Sequence, residues 1–221
     1  MREALQSKSN IAWFKLSELV MRGERERALS VFRLLSHSIS DKAFVALLES
    51  ELFHVFGDIR AKEACFRAIS LYEAQLNYEK VVLAYSYIFE WWPGEEQSLD
   101  SLANLCDSFS SEVLWRTGMR LVVMWSIAAQ RWGRVQDLVI NAFARSSLRG
   151  MWLKKAIIYG IVQYSSLSEA PFFFESYCRE LAWYYTYEGT GEERIIATQL
   201  FTLLSSFDQD LYQRVRDSLL E

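Results

Sequence analysis

Two histidines, three cysteines, a Gly-Thr-Gly stretch, some paired carboxylates and a run of bases are the residues here whose types could do chemistry. His37 and His54 are seventeen positions apart and outside any His-Glu-x-x-His spacing, so they do not form a zinc pair. His37 reads as a surface residue near a helix end, while His54, in ELFHVFGD, either faces a groove or closes the edge of a core. Cys65, Cys106 and Cys178 are odd in number and far apart, which predicts buried reduced thiols rather than a disulfide framework or a metal site. Gly189-Thr190-Gly191 lacks the third glycine and the preceding strand of a phosphate cradle and reads as a loop before a helix. Glu192 with Glu193, and Asp208 with Asp210, fall where helix starts favour negative charge. No set converges, so the expectation is a non-enzyme with no catalytic residue, metal or cofactor.

The bases are the stronger signal. Between Val113 and Ser168 stand Arg116, Arg120, Arg131, Arg134, Arg145, Arg149, Lys154 and Lys155 against the single acid Asp137, a net charge of +7 in a chain whose total is −4. Trp115, Trp125, Trp132 and Trp152 are interleaved with them. Cations beside aromatic rings suit phosphates and single-stranded bases, which gives nucleic-acid binding as one reading. The competing readings are an acidic peptide, or pairing with the acidic C-terminal helices of the same chain. Helical positions scatter around an axis, so the bases need not share a face, and tryptophans at helical spacing usually pack in a core.

The elements that position these residues are read from composition and period. Of 221 residues 51% are apolar and 15% aromatic, with two prolines and nine glycines, which favours helices over broken or disordered chain. Uncharged runs reach thirteen residues, as in 156–168, short of the roughly 18–20 that cross a membrane. MREALQSKSN has no apolar leader core. The expectation is a soluble cytoplasmic protein without a membrane partner.

Sliding the sequence by 34 residues lays Gly23 on Gly57, Ala12 on Ala46, Phe32 on Phe66, Arg33 on Arg67 and Ser36 on Ser70. Both copies read as helix, glycine turn, helix, with Ala28, Val31, Phe32 and Leu35 on one face of the second helix and Ser40 or Asp41 capping the next. Further turns are expected at Pro93-Gly94, at Gly133 and at Gly189–Gly191. The spacing predicts helices near 10–22, 24–38, 42–56, 58–75, 77–92, 95–109, 112–131, 134–147, 150–165, 169–187, 191–206 and 209–220. Pro171 then falls in the first turn of the tenth, after Ser168, and no strand or hairpin signal survives.

A glycine between two helices, a small residue at Ala28 and an aromatic at Phe32 resemble the tetratricopeptide repeat, with Gly57, Ala61 and Phe66 as the second copy. Ala12, Lys15 and Leu16 replace the family's usual tryptophan, leucine and glycine, and Ser40 its closing proline. The resemblance implies an all-α, right-handed α-solenoid of antiparallel hairpins with about 11–12 helices in a single 1–221 domain. Its clearest repeats are 10–40 and 44–75, its degenerate pairs 77–206 and its capping helix 209–220. It also implies a concave groove lined by Asn10, Trp13, Ser17, Phe44, Leu47, Glu51 and His54. Trp13 and Ser17 stand where some members clamp a terminal carboxylate, so an apolar or helical protein segment fits better. A scaffold or adaptor is the expected function, and eight tryptophans with eleven tyrosines leave room for a patch that pairs two copies.

Overall fold

A computed structural model describes residues 2–165, 169–191 and 193–220, with side chains from Ile11 onward. Twelve α-helices run through the described residues, and none of these forms a strand. They are α1 (Arg2–Met21), α2 (Arg25–Ser36), α3 (Lys42–Val55), α4 (Arg60–Ala74), α5 (Tyr78–Trp91) and α6 (Glu96–Asp107). Then come α7 (Glu112–Ala128), α8 (Trp132–Arg145), α9 (Ser147–Tyr164), α10 (Phe174–Trp183), α11 (Arg194–Phe207) and α12 (Gln209–Asp217). The chain divides into two compact units, Met1–Leu105 and Cys106–Glu221.

Four helix starts are closed by side-chain caps. Asp41 accepts the Ala43 and Phe44 amides at 3.0 and 3.1 Å, Asn77 caps α5, Ser111 caps α7, and Asp208 accepts the Leu211 amide at 2.6 Å. Each side-chain oxygen satisfies an amide that the first turn leaves unbonded, worth about 1 kcal/mol. Several helix ends share one device. At Gly23 (φ 71) and Gly57 (φ 63) the chain turns left-handed, and paired bonds close the helix: Gly23 N–H to Val20 C=O with Glu24 N–H to Leu19 C=O, and Gly57 N–H to His54 C=O with Asp58 N–H to Phe53 C=O.

The same paired bonds recur at Leu76 (φ 55) and Gln130 (φ 54), where no glycine marks them. The turn expected at Gly133 is therefore misplaced: Gly133 lies in the first turn of α8, and Gln130 makes the reversal. Pro171 likewise precedes its helix, its carbonyl accepting the Phe174 amide at 2.9 Å, and α10 begins only there. At its other end α10 widens into a π-helical turn over Tyr184–Glu188, which periodicity does not reveal. Ser168 and Glu192, assigned above to helix starts, lie outside the described residues.

In the first unit one core joins α1 and α2 to α3 and α4. Leu16, Leu19, Ala28, Leu29, Phe32, Leu35, Leu52, Phe53, Ala61 and Ala64 are buried together, with Trp13 and Trp92 packed against them. Small residues of α4 let the helices approach, and the buried Ser50 hydroxyl donates to the Ala61 carbonyl at 2.8 Å. In the second unit Trp115, Val122, Val123 and Ile127 of α7 are buried, as are Leu153, Ile157, Ile158 and Ile161 of α9. Each such aliphatic side chain contributes about 1.5–3 kcal/mol by leaving water. Two glycines allow α9 its close packing: a Cβ on Gly150 would stand 2.3 Å from the Phe143 ring, and one on Gly160 would stand 2.6 Å from the Ile127 methyl.

Candidate functional site

Two hollows collect the residues singled out by sequence, one in each unit. In the first unit a groove of about 320 Å³ runs between α1 and α3, with Phe32 of α2 also on its wall. Trp13, Leu16, Ser17, Val20 and Met21 line it from α1, and Leu48, Glu51, Leu52 and Val55 from α3. Trp13, Ser17 and Glu51 thus line one groove. Met21 and Val55, 80% and 60% exposed, form its apolar rim. Leu47 departs from the expected set: it is 4% exposed and belongs to the core, because α3 turns that position inward. Phe44 is exposed at the start of α3, two turns from Glu51 and off the groove wall. The side chain of Asn10 lies outside those described.

His54 adds an aromatic ladder to this unit. Its ring stacks on Trp91 at 4.1 Å, Trp91 stacks on Tyr87 at 4.7 Å, and Trp92 meets both His54 and Trp91 edge-on. Burial raises the Tyr87 hydroxyl pKa first, and its hydrogen bond with the Glu51 carboxylate adds to the effect. Glu51 therefore belongs both to the groove wall and to the ladder. Val20, Met21, Val55, Tyr87 and Trp91 were not selected from the sequence. The i+7 position from Trp13 gives Val20, and the i+4 positions from Ser17 and Glu51 give Met21 and Val55, whereas the ladder needs tertiary contact.

Four of the eight bases of the segment 113–168 hold carboxylates of the same unit. Arg116 and Arg149 both reach Glu112, each at 3.0 Å, Arg145 pairs with Asp107, and Lys154 pairs with Glu180. Asp107 and Glu112 sit just before the 113–168 window, so the net charge of +7 owes much to where the count began. Lys154 is not a surface base at all. It is 6% exposed, its ammonium lying 4.8 Å from the centre of the Phe143 ring and 4.9 Å from that of Tyr177. Arg131 lies 5.6 Å from the centre of the Trp125 ring, and the Arg134 side chain is half-buried. Of the four tryptophans in the segment, Trp115 and Trp125 are buried and Trp132 and Trp152 half-buried.

Arg120 and Lys155 are the remaining pair, and no carboxylate among the described residues forms an ion pair with either. They line a second hollow of about 360 Å³ with Met124, Trp152, Ala156, Tyr159, Gly160, Gln163 and Gln199. Burial, then the charges of Arg116 and Arg120, hold the Lys155 ammonium below the usual lysine range. A wider hollow of about 660 Å³ borders the π-helical turn, but its Arg179 and Glu180 are already bonded to Glu175 and Lys154.

The three thiols are buried, and burial raises the pKa of Cys65 to about 11 and that of Cys106 to about 12, far from nucleophilic. No cluster of His, Cys, Asp and Glu among the described residues could hold a metal ion. No helix among them is long and apolar enough to cross a membrane. Comparison with protein-family models, with curated proteins and with solved structures returns no match for the chain. The functional reading therefore rests on the two hollows.

Proposed function

We propose that this protein is a non-catalytic scaffold, a right-handed solenoid of tetratricopeptide-like hairpins whose groove between α1 and α3 holds a helical segment of another protein. The observation that carries the reading is the groove itself, in which Trp13, Ser17 and Glu51 stand among apolar walls with Met21 and Val55 bare at the rim. Burying such a rim yields about 25 cal/mol per Å2 of apolar area, so a few well-placed anchors suffice for recognition. Glu51 is the one carboxylate on that wall and selects a segment carrying a base beside its apolar anchors. Apolar residues at i, i+3, i+4 and i+7 of a partner helix match a groove of this kind.

A photo-crosslinking residue at Ser17 tests this directly. Ser17 should capture a discrete partner, and Met21→Asp with Val55→Asp, both on exposed positions, should abolish capture without unfolding the chain. Equal capture from Ser30, on the exposed side of α2, would place the interaction elsewhere. Nucleic-acid binding along α7 to α9 is the weaker reading, because four of its eight bases already hold carboxylates of the same chain.

A further inference from the structure

The second unit keeps two positive charges beside each other at a partly enclosed hollow, an arrangement that is unfavourable until an anion arrives. Arg120 of α7 and Lys155 of α9 both line the hollow, together with Met124 and Gly160. The neighbouring bases Arg116, Arg149 and Lys154 pair with acids that are not part of the lining, the first two with Glu112 and the third with Glu180. Arg116 also stands 5.8 Å from the centre of the Trp152 ring, so a third positive charge flanks the same wall without being consumed by the hollow.

The rest of the lining defines what the anion must carry. Trp152 and Tyr159 present ring surface, Trp152 being held edge-on against the buried Trp115 at 5.4 Å and Tyr159 lying 5.9 Å from the Lys155 ammonium. Gln163 and Gln199 add carboxamides that can both donate and accept, which suits the polar edge of a planar group rather than a bare hydrocarbon. The volume of about 360 Å³ lies within the roughly 300–1,000 Å3 of small-molecule sites. Two cations call for close to two negative charges. A phosphate monoester supplies about −1.5 to −2 at neutral pH, whereas a carboxylate would leave one cation uncompensated.

We propose that the hollow between α7 and α9 is a binding site for a phosphate monoester attached to a planar ring, with Arg120 and Lys155 holding the phosphate and Trp152, Tyr159, Gln163 and Gln199 receiving the ring. This site is independent of the groove in the first unit and of any protein partner. Pyridoxal phosphate is a probe of the right chemistry. Its phosphate is drawn to the two cations and concentrates the aldehyde at the hollow. When Lys155 gives up a proton to water and turns from the phosphate, which stays on Arg120, its free amine adds to the aldehyde carbon, water leaves, and borohydride reduces the imine to a stable secondary amine.

Mass mapping of the labelled protein should find Lys155 modified ahead of the other six lysines, at a rate about tenfold or more above that with unphosphorylated pyridoxal. Arg120→Gln, at an exposed position that the fold does not need, should erase that preference for the phosphate. Thymidine monophosphate should protect Lys155. Equal rates with pyridoxal, an unchanged rate in Arg120→Gln, or equally fast labelling of the exposed Lys42 and Lys80 would overturn the proposal. So would protection by a short oligothymidylate where the monophosphate gives none, which would assign the cations to a nucleic-acid strand instead.

Discussion

The groove of the first unit and the hollow of the second both place a half-buried tryptophan beside exposed helix surface, yet they ask for different ligands. Trp13 stands among Leu16, Val20, Met21 and Val55 with Glu51 as its charged neighbour, whereas Trp152 stands among Arg116, Arg120 and Lys155. The ring is common to both, so it cannot set the ligand class. What differs is the charge left over once each unit has paired its own acids and bases, and that remainder comes from tertiary contacts rather than from counting along the chain.

The most disruptive way to break this comparison is Trp115→Ala. Trp115 is almost fully buried, touches Trp152, and has the Arg149 guanidinium 4.5 Å from its ring centre. Its loss should cost about 3–5 kcal/mol in denaturant unfolding and weaken phosphate-dependent labelling of Lys155. Phe32→Ala is the matching change in the first unit and should instead reduce capture from Ser17. Gly150→Ala comes next, because the new methyl meets the Phe143 ring, and it should destabilise by about 1–3 kcal/mol.

Acid sharpens the comparison, since each unit holds a carboxylate that two arginines share and whose pKa they lower. Asp58 receives Arg25 and Arg60, and Glu175 receives Arg179 and Arg214. Hydrogen bonds from Arg60 hold Asp58 well below the carboxylate range, and the Arg214 guanidinium, followed by Arg179, lowers the Glu175 pKa. A carboxylate depressed in the folded state adds stability that is complete above its unfolded pKa of about 4 and is lost as pH falls toward the folded value. Asp58→Asn and Glu175→Gln should each lower the Tm at pH 7 and flatten the loss of Tm in acid, with little change to their mutual difference at low pH.

The smallest expected effect lies at the turns. Leu76→Gly and Gln130→Gly relieve a left-handed backbone at exposed positions, and each should raise stability by about 0.5–1 kcal/mol, read as a higher denaturant midpoint. Gly23→Ala should do the reverse by a similar amount.

These turns also show what could be read in advance. Helix positions followed from apolar period, and Asp41, Gly23 and Gly57 were legible because side-chain type carries the local conformation there. Leu76 and Gln130 adopt the same conformation against their own preference, imposed by the helices they join, so a glycine search passes over them and settles on Gly133. The π-helical turn and the late start of α10 are set by packing in the same way. In the groove Trp13, Ser17 and Glu51 were suggested by the repeat resemblance rather than by any local signal, while Leu47 fell inward because neighbouring positions on α3 serve the core as well as the surface. Arg120 and Lys155 were picked out with six other bases, and only tertiary contacts separate them.

Leu76 has one further consequence. An L-residue held at φ 55 sits in the region that its mirror-image enantiomer would prefer. A chemically synthesised chain carrying D-leucine at that single position should therefore fold at least as readily as the natural one, a test of chirality that leaves composition, charge and side-chain volume untouched.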